Sequence, residues 1–137
     1  QIEPDKTSIA HWHAGPKGHI FSRFSRGFQR ATGRTAMNFR VDKQFFAGSK
    51  RPRSVRVRIV YLDKGAGVWS LIYKSPTGAS AALTVKGANT GKWIDKQGDI
   101  PNAIFARSLP GGADLTLRHL SGDDTIFHLI ELTASPN

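Results

Sequence analysis

The chain of 137 residues contains no cysteine. This absence excludes disulfide bonds, thiolate metal sites and cysteine nucleophiles. No apolar run approaches the roughly 18 residues of a membrane-spanning helix, so the sequence predicts no membrane span, and we do not expect a membrane partner. A chain of this length can bury a sufficient core without covalent cross-links, and we expect residues 1–137 to form a single domain.

Common enzyme motifs are also missing: there is no phosphate-binding P-loop, no HExxH zinc motif and no GxSxG nucleophile elbow. Asp123 and Asp124 are adjacent, whereas a glycosidase needs two carboxyl groups held roughly 5–9.5 Å apart across a cleft. We therefore expect neither enzymatic activity nor a required cofactor. The simplest interpretation of the two aspartates is a turn in which one of them caps backbone N–H groups. The alternative is a weak structural calcium site built from loop carboxylates and carbonyls.

The net positive charge is confined to the first part of the chain. Residues 1–60 contain 13 lysines and arginines against three acidic residues, whereas residues 61–137 contain seven of each. A block of like charge repels itself, so its presence indicates a polyanionic partner. Charge alone fits a nucleic acid, an acidic membrane or an anionic polysaccharide equally well.

Short apolar and alternating segments separated by turn residues fill the second half. In Val55–Tyr61, for example, alternate residues are apolar while Arg56 and Arg58 share the other face. The predicted strands are Thr35–Val41, Val55–Tyr61, Val68–Lys74, Ala81–Lys86, one opened by Gly91–Asp95, Asp114–Leu120 and Thr125–Leu132. Their spacing predicts an all-β sandwich or barrel.

The arginine-rich first half is harder to interpret. Phe21, Phe24 and Phe28 recur at helical spacing, with arginines on the opposite face. Gly27 and Gly33 interrupt this pattern, and each costs about 1 kcal/mol relative to alanine inside a helix. We therefore expect an arginine-bearing strand and loop here rather than a helix.

Aromatic and histidine side chains supply candidate ligand contacts. Trp69 alternates with other apolar residues and is predicted to lie in the core. Trp12 lies in a polar segment, and Trp93 follows the loop Asn89–Lys92, so either ring could stack on a flat ligand. His11 and His13 could form a metal pair, but hydrogen bonds to sugar hydroxyls and sulfates are the simpler role.

Five segments together resemble a known family. They are YLDxGxGxWSLxY (61–73), TGxW (90–93), FAR (105–107), GADL (112–115) and DDxxFHxIEL (123–132). In order and spacing they resemble the jelly-roll, galactose-binding-like carbohydrate-binding modules, such as families 6 and 35, attached to secreted glycoside hydrolases and polysaccharide lyases. The resemblance spans about residues 55–132. It implies a jelly roll of antiparallel strands, a ligand site in loops at one edge, stacking of Trp93 on sugar, and a structural calcium near Asp123, Asp124 and Glu131.

The resulting hypothesis is a secreted, non-catalytic module that recognises an anionic, sulfated polysaccharide such as an algal galactan. The chain begins at Gln1 rather than Met, so we expect a mature or excised piece that is covalently linked to a glycoside hydrolase or lyase domain. The predicted ligand-binding residues are His11, Trp12, His13, Arg23, Arg26, Arg30, Lys50, Arg51, Arg53 and Trp93. Arginine would bind sulfate as a fork and lysine as a point charge. Arg56 and Arg58 either extend this set or only aid solubility.

Two other functions remain open from the sequence. A nucleic-acid-binding β-domain would explain the charge, but the basic half lacks the interleaved aromatic pattern that such domains use, so we do not expect a nucleic-acid ligand. A catalytic fragment of a lyase or hydrolase is the second alternative, because lyases can work with histidine, tyrosine and arginine alone.

Overall fold

The protein is built almost entirely from β-strands. A computed structural model describes residues 1–14, 23–42 and 52–134. Its strands are β1 (Ile9–Ala14), β2 (Arg23–Gly27), β3 (Ala36–Phe39), β4 (Arg53–Leu62), β5 (Val68–Ser75), β6 (Gly78–Lys86), β7 (Trp93–Ala103), β8 (Leu115–Ser121) and β9 (Ile126–Ala134). One short helix, α1 (Pro4–Thr7), precedes them, and 3₁₀ turns cover Arg30–Thr32 and Pro110–Gly112. No helix within the described residues is long and apolar enough to cross a membrane.

The strands form two antiparallel sheets that pack face to face. The five-stranded sheet has the order β1-β2-β9-β4-β7, and the four-stranded sheet has the order β3-β8-β5-β6. From β2 onward the chain passes between the two sheets as a jelly roll does, with β1 added at one edge. The predicted all-β jelly-roll sandwich is therefore confirmed.

The core lies between the sheets and follows the predicted alternation. Val57 and Ile59 of β4 are fully buried, as is Leu71 of β5. The Trp69 ring, also fully buried, contacts the rings of Tyr61 and Phe127 edge-on at centroid distances of 5.3 and 5.0 Å. Edge-to-face pairs of this kind contribute about 0.5–1.5 kcal/mol each beyond the area they bury.

The arginine-rich segment forms a strand followed by a loop, as expected. β2 ends at Gly27, and the Phe28 side chain then enters the core, where its ring lies 5.4 Å from that of Phe127. Gly33 adopts a left-handed backbone conformation (φ 78°) that ends the following 3₁₀ turn. Phe21, the first member of the helical pattern, lies outside the described residues.

Two strands extend clearly beyond the predicted bounds, whereas the other predicted strands differ by at most two residues at either end. β6 begins at Gly78, three residues before the predicted start at Ala81, because Ser75 and Gly78 already pair across a two-residue hairpin loop. β7 continues through Pro101 as far as Ala103. Proline has no N–H to donate, and it is tolerated here because β7 is the edge strand of its sheet.

Candidate functional site

Four loops meet at one end of the sandwich, which we call the loop end: residues 28–35, 63–67, 87–92 and 122–125. Side-chain acceptors join them. The Gly65 N–H donates to Asn89 Oδ1 at 2.8 Å, and the Ala66 N–H donates to Asp123 Oδ2 at 2.8 Å. The loop end is therefore one connected network, and Trp93 stands directly beside it at the start of β7.

Asp63 fixes the loop that leads to Trp93. Its carboxylate is only 4% exposed and accepts the N–H groups of Ala88, Asn89 and Thr90 at 2.8–3.2 Å and the Thr90 hydroxyl at 2.7 Å. Burial raises the pKa of Asp63, but the hydrogen bonds from Thr90, Ala88 and Asn89 outweigh it, so the pKa lies below its ordinary value. An ionised carboxylate thus holds residues 88–90 in place.

Asp123 and Asp124 act as the turn interpretation predicts. Asp123 accepts the Ala66 N–H, and Asp124 Oδ1 accepts the N–H of Arg30 at 3.1 Å. Glu131, the third calcium ligand implied by the resemblance, is instead the register partner of Arg58 on β4. No three histidine or acidic side chains within the described residues are placed to hold a metal ion. These residues therefore offer calcium no third side-chain ligand, and the calcium site stays a prediction.

Trp93 lies half-buried on the outward face of the five-stranded sheet. Its ring contacts that of His128 at a centroid distance of 6.0 Å and an angle of 65°. Its register partner, Leu62, is only 4% exposed although it points away from the main core. Trp93 therefore belongs to a small outer apolar cluster, and its stacking on sugar stays a prediction.

The predicted arginines with described side chains contact the protein itself. The Arg26 guanidinium donates to Asp5 Oδ1 at 2.8 Å and to Ser8 Oγ at 2.7 Å, which ties the N-terminal segment to β2. The Arg30 guanidinium donates to the Gly122 carbonyl at the loop end. Arg53 is half-buried at the start of β4. Arg26 and Arg30 thus support the fold, and their ligand contacts stay predictions.

The remaining predicted residues fall at the edge of the description or beyond it. The backbones of His11, Trp12 and His13 lie on β1 and that of Arg23 on β2, but their side chains are outside the described part. Lys50 and Arg51 lie entirely outside it.

Arg56 and Arg58 are paired with acids across the sheet. Arg56 Nε lies 3.1 Å from Asp99 Oδ1, and Arg58 Nε lies 2.7 Å from Asp95 Oδ2, both on β7. The hydrogen bond and the charge of Asp95 raise the pKa of Arg58, and the charge of Glu131 adds to this. The outward face of the five-stranded sheet thus combines arginines with carboxylates.

The outward face of the four-stranded sheet is different, and sequence reasoning missed it. The strands β3, β5, β6 and β8 contain no aspartate or glutamate. Lys74, Lys86 and Arg118 point outward there, each next to an inward core residue. None of the three side chains forms an ion pair within residues 1–14, 23–42 and 52–134. We call this surface the basic face.

A groove runs along the basic face. Its volume is about 290 Å³, and its floor is formed by small or aliphatic side chains of β5, β6 and β8. Leu109, Pro110 and Arg118 line it as well. The Thr116 hydroxyl, in the floor, donates to Asn38 Oδ1 at 2.8 Å. The groove thus places a guanidinium and side-chain polar groups beside apolar surface.

No protein-family model matches the chain, and a search of curated proteins finds no match either.

Proposed function

We propose that this protein is a non-catalytic module that binds an anionic polysaccharide, with a sulfated galactan as the example to test. In this proposal it is secreted and anchors a covalently linked polysaccharide-degrading enzyme to its substrate by raising the effective concentration. The observation that carries the proposal is the way in which the fold uses its carboxylates.

All ten acidic residues lie in the described part of the chain, and at least eight of them are bound internally. Four form ion pairs, namely Glu3, Asp5, Asp95 and Asp99. Four others accept backbone N–H groups, namely Asp63, Asp114, Asp123 and Asp124. These carboxylates therefore stabilise the fold through ion pairs and hydrogen bonds. The net charge of +10 remains for a partner to neutralise.

The shape of the basic face favours a glycan over a nucleic acid. Proteins that bind single-stranded nucleic acids stack successive bases on exposed aromatic side chains. The aromatic residues of the four-stranded sheet, Phe39, Trp69 and Tyr73, all pack into the core instead. A groove of small side chains that is lined by the Arg118 guanidinium suits a bulky, hydroxylated and charged ring better than a flat base.

Several sulfates must act together, because one exposed ion pair contributes only about 0–1 kcal/mol. The test is affinity electrophoresis of the purified protein against a sulfated galactan, the same galactan after desulfation, and single-stranded DNA. We expect only the sulfated glycan to retard the protein strongly. Equal retardation by the desulfated galactan would contradict a charge-based mechanism, and a DNA complex that survives roughly 0.3 M salt would favour the nucleic-acid alternative.

A further inference from the structure

We infer that the anionic glycan binds across the basic face, with Arg118 contacting a sulfate in the groove and Lys86 and Lys74 contacting sulfates on either side. This inference rests on the proposed function and adds the site. It differs from the site expected from the sequence, which placed the cationic contacts in residues 1–60.

The three cations form an array that an extended ligand can span. Arg118 of β8 pairs with Ser70 of β5. Along β5, Ser70 lies two residues from Val68, which pairs with Lys86 of β6, and four residues from Lys74 on its other side. With strands about 4.8 Å apart and a rise of about 3.3 Å per residue, the Cα of Arg118 lies about 12 Å from that of Lys86 and about 14 Å from that of Lys74. Lys86 and Lys74 lie on opposite sides of Arg118 along the strand direction. The three cations are thus spread over a longer stretch of surface than one sugar ring covers, so the array suits a polymer.

The groove beside Arg118 is formed mainly by short side chains. Ala79 and Ala81 of β6 and Ile72 of β5 line the groove, so no long side chain fills it. Its volume of about 290 Å³ is near the lower end of the range of roughly 300–1,000 Å³ for small-molecule sites, which fits one or two rings. The aliphatic floor can receive the apolar face of a sugar while Arg118 reaches a substituent on the same ring.

Charge complementarity separates this face from the opposite one. A sulfate that approached Arg58 would compete with Asp95 at 2.7 Å and would meet the charge of Glu131. On the basic face no strand carries an acid, so an approaching sulfate meets no such competition there. The net electrostatic attraction for a sulfate is therefore greater on the basic face.

The experiment compares two triple variants that lose equal charge. One is K74Q/K86Q/R118Q on the basic face, and the other is R56Q/R58Q/K96Q on β4 and β7. We expect the first to bind sulfated galactan about tenfold more weakly or worse, which corresponds to about 1.4 kcal/mol. The second should stay within about threefold of the wild type, because at the basic face it changes only the long-range field.

A second pair of variants tests the groove itself. Ala81→Glu adds a negative charge in the groove, whereas Thr133→Glu adds the same charge beside Arg56 on the other sheet. We expect Ala81→Glu to weaken binding at least fivefold more than Thr133→Glu, with circular dichroism and thermal unfolding used to confirm that both variants fold.

The outcomes separate a failure of the proposed site from a failure of the proposed function. Equal losses in both triple variants would overturn the basic face as the site while leaving a charge-driven function intact, and so would a larger loss in R56Q/R58Q/K96Q. If the wild-type protein binds no sulfated glycan in the panel, the proposed function itself fails and the site fails with it.

Discussion

The Asp63 carboxylate accepts four hydrogen bonds at the loop end. We therefore predict that Asp63→Asn strongly destabilises the protein. The substitution keeps the size of the side chain but turns an acceptor oxygen into an NH₂ group that faces N–H donors. Four hydrogen bonds converge on the carboxylate, and a hydrogen bond to a charged group contributes about 1.5–3 kcal/mol. Residues 88–90 are exposed, so water can replace part of this loss. We expect the free energy of unfolding to fall by about 2–4 kcal/mol rather than by the full sum.

The effect of Asp63→Asn should depend on pH in a defined direction. The pKa of Asp63 in the folded protein lies below its ordinary value of 3.8. The carboxylate therefore stabilises the fold fully above about pH 5, and this contribution is lost as the pH falls through the unfolded-state pKa towards the lower folded-state pKa. Because the variant lacks the carboxylate, the stability gap between the two proteins should narrow between about pH 5 and pH 3.

Urea unfolding followed by tryptophan fluorescence measures this gap, since Trp69 is fully buried in the folded state. Asp123→Asn is the matched control, because Asp123 is exposed and accepts a single N–H, from Ala66. That control should lose only about 0.5–1.5 kcal/mol at neutral pH. A gap for Asp63→Asn that is no larger than the control, or that stays constant between pH 7 and pH 3, would refute the reasoning.

Two further predictions concern the loops and the N-terminal segment. Gly33→Ala should cost about 1–2 kcal/mol for its left-handed backbone alone, because nothing lies within 4 Å of the added Cβ. Gly122→Ala should cost clearly more in the same urea assay, since its Cβ would lie 2.3 Å from the Ala66 carbonyl oxygen; equal losses would contradict the close packing of these loops. Arg26→Gln should speed amide hydrogen exchange in residues 1–8, because it removes the contacts to Asp5 and Ser8. Unchanged exchange there would mean that Arg26 does not anchor this segment.

Which side chains of a strand are buried could be predicted from the sequence, because apolar and polar residues alternate along the strand. Val57 and Ile59 alternate with Arg56 and Arg58, and the structure buries the first pair and leaves the second pair facing outward. The two-residue period needs no knowledge of the neighbouring strand. In the arginine-rich segment the cost of Gly27 and Gly33 in a helix favours a strand and loop over the helical pattern, and the structure has a strand at Arg23–Gly27.

Features that depend on which strands are neighbours could not be predicted in this way. The edge position that allows Pro101 within β7 is a property of the sheet order and not of the local sequence. The Asp63 network joins residues 25–27 positions apart, and only the closure of the loop end brings them together. From the sequence alone, Asp63 is simply the first residue of a turn.

The charge block shows most directly how the fold changes an inference from sequence. In this jelly roll most consecutive strands lie in different sheets, the exceptions being β1 with β2 and β5 with β6, so the charge of a chain segment is divided between two surfaces. The arginines of β4, from the basic first part, meet the acids of β7, from the neutral second part, at sequence separations of 43 and 37 residues.

The acids of β7 and β9 are thereby placed on the five-stranded sheet. The cations that share their sequence region, Lys74, Lys86 and Arg118, are left without acidic neighbours on the other sheet. A segment with zero net charge in the sequence therefore supplies a positively charged surface in the fold. For a protein that binds a polyanion, the charge of each sheet face is thus a better guide to the site than the charge of a stretch of sequence.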